Sequence, residues 1–417
     1  MTAQRPKPIL VVGAGIAGIT AALEASEAGR DVVLVEREPA VGGRVLRNHH
    51  YFPKLCPPSC GMEINIRRLE RSPRVRVLTN CGVTKASASD GGWHVTLTRG
   101  PDYVSDLCTA CGDCSKVCPA RISDPFNLGM SQVPAVRLSF PNAWPRRFAL
   151  DRTACPEGCT ACVDACTVKA IDLSAKQREE TIDVGAVVIA TGWNPYPLEK
   201  LPELGGGVYP DVISNVQMER LAAPSGPTGG KILRPSDGQP PRQVAFVQCA
   251  GSRDVKHLPY CSSVCCLASL KQALYVHEQL PETEVSIYYI DRRTPGRNEE
   301  MLTKVAATSR VKLIKGKVGK VERDDGKGLR LRLEDVAAGR LVSAPADLVV
   351  LATGMVPALA ADGFPFPIRK DEDGFCLDSP EASLSVAGVA RRPEDVAAST
   401  RDATAAAARA FVAGRRA

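Results

Sequence analysis

The sequence predicts an α/β protein: two strand–loop–helix units of the doubly wound, dinucleotide-binding kind, with a cysteine-rich module inserted into the first. Three observations carry that prediction. A glycine-rich turn joins a strand to a helix at Gly13, two apolar strands end in Ala-Thr-Gly, and two cysteine tetrads lie between Cys108 and Cys166. With 417 residues the chain has room for roughly two or three domains of ~150 residues each.

In the first unit, residues Pro8 to Glu36 read as an apolar strand, a turn carrying Gly13, Gly15 and Gly18 in G-x-G-x-x-G spacing, a helix and a second strand. Gly13 permits the tight turn, Gly15 lets a pyrophosphate reach backbone N–H groups at the helix N-terminus, and Gly18 lets the helix pack on the strand. Glu36, ending the second strand, is placed to accept hydrogen bonds from ribose hydroxyls. Gly42, Gly43 and Arg44 follow just past that strand. This GG-R extension resembles the two-dinucleotide-binding-domain flavoproteins, whose units are Rossmann-like FAD- and NAD(P)-binding folds, and it implies FAD. The same resemblance singles out the two Ala-Thr-Gly strands, with Thr191 and Gly192 in one and Thr353 and Gly354 in the other, as flavin-domain strands bracketing a second domain. A last apolar strand, LSVAGVA with Gly388, precedes an alanine-rich helix, but Val389 stands where that fold's flavin-contacting aspartate is expected.

Between the strand around Trp93 and the strand pair before Thr191 lies the cysteine-rich insertion. Cys108, Cys111, Cys114 and Cys118, followed by Pro119, have the C-x2-C-x2-C-x3-C-P spacing of bacterial ferredoxins; Cys155, Cys159, Cys162 and Cys166 repeat it with one extra residue and without the proline. Short spacing lets one loop wrap three corners of a cubane while the fourth cysteine reaches the neighbouring cluster. The expected sets are therefore Cys108, Cys111 and Cys114 with Cys166, and Cys155, Cys159 and Cys162 with Cys118. Two C-x2-C pairs can also build a tetrahedral zinc site, so that reading stays beside two [4Fe–4S] clusters.

The second unit opens after a proline- and glycine-rich loop, Pro224 to Arg242. VAFVQCAGSRD reads as a buried strand running into a loop, and Cys266 to Leu280 as the helix after it. A nicotinamide site needs a glycine-rich turn there; Cys249, Cys261, Cys265 and Cys266 occupy the loop instead, a set that suits an iron–sulfur cluster or, alternatively, a thiol pair for disulfide exchange.

The segments FPKLCPPSCGMEIN, RLAAPSGPTGGKILRPSDG, QCAGSRD and HLPYCSSVCCLASLK resemble the A-type subunit of the quinone-interacting membrane-bound oxidoreductase complexes, a family related to the A-type subunit of heterodisulfide reductase. The resemblance spans nearly the whole chain. It implies FAD in the split first unit and a cluster held by a C-x11-13-C-x3-C-C pattern, which falls on Cys249, Cys261, Cys265 and Cys266. It further implies an electron-transfer subunit relaying electrons between the quinone pool and adenylylsulfate reductase in dissimilatory sulfur metabolism. Its partners would be adenylylsulfate reductase, a heterodisulfide-reductase-like subunit, and a quinone-reactive membrane subunit. It would sit peripherally on the inner face of the cytoplasmic membrane.

Composition narrows the function classes. The net charge of +7 is mild and the arginine groups carry no interleaved aromatics, which argues against nucleic acid. No apolar run approaches the ~18–20 residues that span a bilayer, and residues 1–8 lack a signal-peptide pattern, so a cytoplasmic location is expected. Sixteen cysteines in such a compartment point to metal or redox chemistry rather than disulfides. Cys56 and Cys60 lie where disulfide reductases of this fold hold a dithiol; a redox pair, partial cluster ligands and packing against the flavin are the three readings. His49 and His50 read as a solvated loop or a proton shuttle. The domains expected are 1–98, 171–240 and 346–417 for the FAD-binding unit, 99–170 for the ferredoxin-like module and 241–345 for the second Rossmann-like unit. The rival function is a stand-alone NAD(P)H-dependent disulfide or ferredoxin reductase.

Overall fold

Strands built only of valine, leucine and isoleucine are apolar on both faces, and a parallel sheet covered on both sides is the arrangement that buries them. In the computed structural model, which describes residues 6–52, 54–324, 328–336, 339–359 and 363–414, the first sheet is of this kind. Ile9–Val12 (β1), Val32–Val35 (β2), Val75–Leu78 (β3), Ala186–Ile189 (β11) and Leu384–Val386 (β21) pair in parallel in the order β21-β11-β1-β2-β3. Alternate residues of β1 serve two cores. Ile9 and Val11 pack with the helices Ile16–Glu27 (α1) and Val396–Ala413 (α8), where the Pro58–Arg71 helix (α2) also lies. Leu10 and Val12 pack on the other face against an antiparallel meander of Cys81–Ser89 (β4), Gly92–Arg99 (β5) and Arg178–Val184 (β10).

The cysteine module is inserted into the β5–β10 hairpin. It contains two short helical turns, Asp113–Lys116 (α3) and Ala161–Asp164 (α4), which pack on one another. Two small antiparallel pairs fill the stretch between the tetrads: Arg121–Ser123 (β6) with Gln132–Pro134 (β7), and Val136–Arg137 (β8) with Ala149–Leu150 (β9). A bridge between Val104 and Ile171 closes the module, one residue beyond the expected limit at 170.

The second unit is a seven-stranded sheet: Val212–Ser214 (β13), Leu348–Thr353 (β19), Gln243–Ala250 (β14), Glu284–Tyr289 (β15), Val311–Arg323 (β16), Leu329–Asp335 (β17) and Arg340–Ala346 (β18), in that spatial order. The first five are parallel and the last two turn back antiparallel. Asn215–Ala222 (α5), Cys265–Gln279 (α6) and Glu299–Ala306 (α7) join one core under it. Ser214 and Gln217 form a capping box that starts α5, satisfying amides the helix itself leaves open.

Two boundaries differ from expectation. β19, the second Ala-Thr-Gly strand, was expected in the FAD-binding unit from residue 346 on, yet it is the strand between β13 and β14 of the second sheet. β13 likewise belongs to the second unit although it lies within 171–240, so the proline- and glycine-rich loop 224–242 runs inside that unit, between α5 and β14. The chain crossings themselves mark the division: Trp193–Pro195 (β12) and Met355–Pro357 (β20) pair antiparallel, going out and coming back.

Candidate functional site

A cleft of about 500 Å3 lies at the carboxyl ends of β1, β2 and β11, bounded by both units and by the module. At its base the β1–α1 turn meets the turn after β2. Gly15 starts α1 with no side-chain cap, which leaves the first-turn amides open to an anion. A Cβ on Gly43, whose φ is +63°, would stand 2.8 Å from Gly15 Cα, so the two turns can lie against each other only without side chains. Gly18 is packed so that a Cβ would run into the carbonyl of Gly13. Gly42 donates its N–H to the Ala14 carbonyl at 2.7 Å and so ties the turns together from behind.

Side chains then furnish the walls. Glu36 accepts from the N–H groups of Ala14 at 2.8 Å and Glu38 at 3.0 Å, and burial raises its pKa against the pull of those bonds. Arg44 donates to the Trp193 carbonyl and, at 2.6 Å, to Asn194 Oδ1, and it lies 5.3 Å over the Trp193 ring. Burial brings its guanidinium down to about 10. Thr191 and Gly192 line the cleft, whereas Gly388, behind it, packs on Ala17 and gives its N–H to Asp402. Three buried atoms on cleft-lining residues have no hydrogen-bond partner: Thr191 Oγ1, Gln272 Oε1 and Glu394 Oε1. Buried polar atoms are seldom left unpaired, so their convergence here, beside an uncapped helix N-terminus, fits a ligand with phosphates, hydroxyls and ring N–H groups, as FAD has.

Several cleft residues gave no sequence signal. Phe126 and Phe140, stacked at 4.9 Å, reach it from the spacer between the tetrads. From the second unit come Asn215, Glu219, Lys271 and Gln272. Lys271 Nζ lies 3.0 Å from Glu219 Oε1 and donates to the His50 carbonyl at 2.5 Å, with only 3% and 4% of the two side chains exposed. Gln272 Nε2 adds a bond to Glu219 Oε1 at 2.6 Å. The one hint was a lysine on a helix whose neighbours Leu267, Leu270 and Leu274 are all core residues. Glu394 stands on the same wall as Val389, the position that lacks the expected aspartate.

Behind the cleft, Cys249, Cys261, Cys265 and Cys266 line one small pocket with Arg253, Asp291 and Arg293. The β14–β19 register shifts between Val247 and Ala250, and Cys249, Arg253 and Ser263 all hold positive φ, a cost of order 1 kcal/mol each for non-glycine residues. Thr353 and Gly354 do not line the cleft but stand beside this pocket, which corrects their expected role as flavin contacts. Cys265 Sγ lies 3.7 Å from the Thr353 carbonyl, and a Cβ on Gly354 would run into Ser252 and Ser262. Thr353 Oγ1 in turn donates to Asn215 Oδ1 at 3.2 Å, so Thr353 links pocket and cleft through its carbonyl and its hydroxyl. Burial, foremost, pushes the thiols of Cys249, Cys265 and Cys266 up. Exchange chemistry needs an accessible thiolate, so these are poor disulfide nucleophiles.

In the module, Cys114, Cys118 and Cys162 are buried in one small core. Cys118 stands near Cys162 together with Cys155 and Cys159, and Cys108 and Cys111 stand near Cys114. Cys114 also faces Cys162, and burial drives its thiol to about 11. Backbone N–H groups of Ala110 and Ala170 point at the sulfurs of Cys108 and Cys166, at 3.4 and 3.2 Å. Among the described residues no three Cys, His, Asp or Glu side chains stand close enough to chelate a single metal ion. Cys56 and Cys60 do not line the cleft; Tyr51 and Phe52 of that segment do, and Cys60 is exposed in the first turn of α2, against a dithiol over the flavin. His49 and His50 stack at 3.9 Å, and burial, then His50, lowers His49 to about 4. No described helix is long and apolar enough to cross a membrane.

Comparison with known proteins agrees with this geometry. Residues 8–49 match the family model described as FAD dependent oxidoreductase. The A-type subunit of the ferredoxin:CoB-CoM heterodisulfide reductase of Methanosarcina mazei is 37% identical over 93% of this chain and 51% of its own length. The second A-type iron-sulfur subunit of the CoB–CoM heterodisulfide reductase of Methanopyrus kandleri is 36% identical over 97% of this chain and 64% of its own. The chain thus spans about half to two thirds of the curated relatives it matches. Thioredoxin reductase from Lactococcus lactis aligns over 99% of this chain and 100% of its own with a TM-score of 0.54 at 13% identity, a likeness of fold. The chain has the fold of the two-dinucleotide-binding reductases, matches the FAD dependent oxidoreductase model over residues 8–49, and is related over nearly its whole length to the A-type subunit of heterodisulfide reductase.

Proposed function

We propose that this chain is the FAD- and iron–sulfur-containing electron-transfer subunit of a quinone-interacting, heterodisulfide-reductase-like complex. FAD would occupy the cleft, two [4Fe–4S] clusters the module and a third the Cys249–Cys266 pocket. The observation that carries this reading is a single cleft, suited to FAD, with cysteine sets reached through the module spacer on one side and through Asn215 and Thr353 on the other. The relatives are named for CoB–CoM heterodisulfide reduction. In this chain, the segments shared with the quinone-interacting complexes favour a relay between the quinone pool and adenylylsulfate reductase. A heterodisulfide-reductase-like subunit with a quinone-reactive membrane subunit would then hold it at the inner face of the membrane.

FAD, when bound, accepts electrons in pairs and releases them singly. The chain's own residues set the conditions. The α1 amides and Gly15 would hold the pyrophosphate, and Thr191, Glu394 and Gln272 would offer polar atoms to the cofactor's hydroxyls and N–H groups. The ammonium of Lys271, fixed by Glu219, sets a buried positive charge on the cleft wall that would favour added electrons on a bound cofactor. Cysteines stand where a nicotinamide loop would lie, so single electrons would replace hydride at that port.

Anaerobic purification with iron and flavin analysis tests the reading. About twelve iron atoms per FAD are expected, four for each cubane, and fewer than about eight would defeat it.

A further inference from the structure

The loops that frame the Cys249–Cys266 pocket carry most of the chain's charge asymmetry. Residues 251–264, 290–298 and 315–317 hold Arg253, Lys256, Arg292, Arg293, Arg297, Lys315 and Lys317 against Asp254 and Asp291, a net +5 beside +7 for the whole chain. These segments meet at the carboxyl ends of the parallel strands, since β14 and β15 end there and Lys315 pairs in register with Tyr289. Both aspartates are already engaged. Asp291 holds Arg253 at 2.8 Å and Arg293 at 3.9 Å, and Asp254 holds Lys317 at 3.6 Å. Lys256, Arg292, Arg297 and Lys315 are exposed and have no acidic partner within 4 Å among the described residues; Arg292 lies 5.0 Å over the Tyr289 ring. Glu299 and Glu300, opening α7, are the next acidic residues along the chain.

One of these loops also carries an apolar side chain that the fold leaves uncovered. Val255, at the tip of the loop between Asp254 and Lys256, is 92% exposed, more than any other large hydrophobic residue described. A small apolar contact within a rim of one charge sign suits a transient interface, which gains speed and orientation from long-range attraction while burying little area.

We propose that this basic collar is the docking surface for an acidic one-electron carrier protein, seated over the Cys249–Cys266 pocket. The proposal rests on the cluster assigned to that pocket above. One electron leaves the reduced carrier and enters the cluster, or passes the other way, with no bond made or broken and no proton required. Arg253 and Arg293, on the pocket wall itself, lie between the carrier and the sulfurs.

The test uses the anaerobically purified, cluster-loaded chain and reduced flavodoxin, a small acidic flavoprotein, as the probe in stopped flow. Bleaching of the iron–sulfur absorption should slow roughly tenfold as ionic strength rises from low to near-physiological values. Arg292→Glu/Arg297→Glu should be about tenfold slower at low salt and lose most of the salt dependence, because a rim charge acts on the encounter rate. Lys85→Glu/Lys176→Glu, exposed outside the collar loops and the cysteine tetrads, should match the unaltered chain. The reverse pattern, or equal rates in all three, overturns the proposal. Salt-sensitive binding to phosphatidylserine vesicles that Arg292→Glu/Arg297→Glu abolishes, without any change in electron exchange, assigns the collar to a membrane surface and also overturns it. Paramagnetic resonance of the same samples, compared with Cys265→Ala, separates the two layers. No Cys265-dependent cluster signal sinks the cluster reading, whereas a normal signal with unaltered kinetics sinks the docking surface alone.

Discussion

Replacing Lys271 with methionine removes one half of a buried ion pair on the cleft wall and leaves the other half behind. Glu219 is 3% exposed and would keep its bonds to Gln272 Nε2, to the His49 N–H at 2.9 Å and to the Tyr275 hydroxyl, but would lose its one cation within 4 Å among the described residues. Leaving a buried charge uncompensated costs about 3–5 kcal/mol, whereas replacing both partners by apolar groups of similar volume is often close to neutral. For a domain of this size 1 kcal/mol moves Tm by roughly 2–4 °C, so Lys271→Met should lower the transition of the second unit by on the order of 10 °C. Lys271→Met/Glu219→Met should recover much of that. Calorimetric scans of the four members of the cycle decide it. Single variants within 2 °C of the parent, or a double variant as low as the sum of the singles, would refute the claim that the pair is a coupled unit.

Four further outcomes are expected. Cys108→Ala should erase one cluster's paramagnetic resonance signal while FAD stays bound; loss of flavin would count against a module that holds its clusters independently. Arg253 and Cys249 line the same pocket and the guanidinium's charge favours the thiolate, so Arg253→Gln should move that cluster's potential negative by several tens of millivolts in a potentiometric titration. Glu394→Ala removes a buried acceptor with an unpaired oxygen and should weaken FAD binding roughly tenfold, read by flavin fluorescence on dilution; unchanged affinity would show the atom is not used. His49 is lowered to about 4 and His50 is lowered too, so the unfolded chain binds protons the folded one refuses. Stability should therefore fall as pH drops from about 6.5 toward 4, and His49→Gln should flatten that slope.

Elements whose chemistry is local were legible in the sequence. The glycine turn at Gly13, the strand–loop–helix at Cys249 and the tetrads each depend on residues within a few positions of one another. What depends on distant partners was not. β11 with the residues after it and β19 with Gly354 spell nearly the same apolar run into Ala-Thr-Gly, and both are buried throughout; only pairing, with β1 in one case and β14 in the other, assigns them to different sheets. A strand apolar on both faces carries no record of which neighbour it will have. Lys271 was hidden for the same reason, since its counter-charge comes from α5, fifty-two positions earlier, and the backbone it bonds from the loop at His50. The spacer between the tetrads looked like a long connection, and its role in lining the cleft through Phe126 and Phe140 has no sequence period to announce it.

The conversion of the second unit needs no new physics. In a dinucleotide-binding unit the helix after the first strand points its N-terminus, with its unpaired N–H groups and partial positive charge, at a pyrophosphate. Here that helix is α6, fifteen residues long and without a side-chain cap, and its first two residues are Cys265 and Cys266. In the proposed ligation four thiolates around a [4Fe–4S] core carry net negative charge, so the helix end that would have faced phosphates would face another anion. Cys249 comes from the strand end, where the phosphate-binding turn would begin, and the register shift there turns the chain toward the pocket. Adjacent Cys265 and Cys266 reach different neighbours, the Thr353 carbonyl in one case and Gln248 and the Asp291 carbonyl in the other, so their sulfurs diverge around the pocket instead of crowding one corner. The strand, the helix and its dipole are kept and only the ligand they would stabilise is exchanged, so on the proposed reading a dinucleotide-binding fold needs no rearrangement to present a single-electron port.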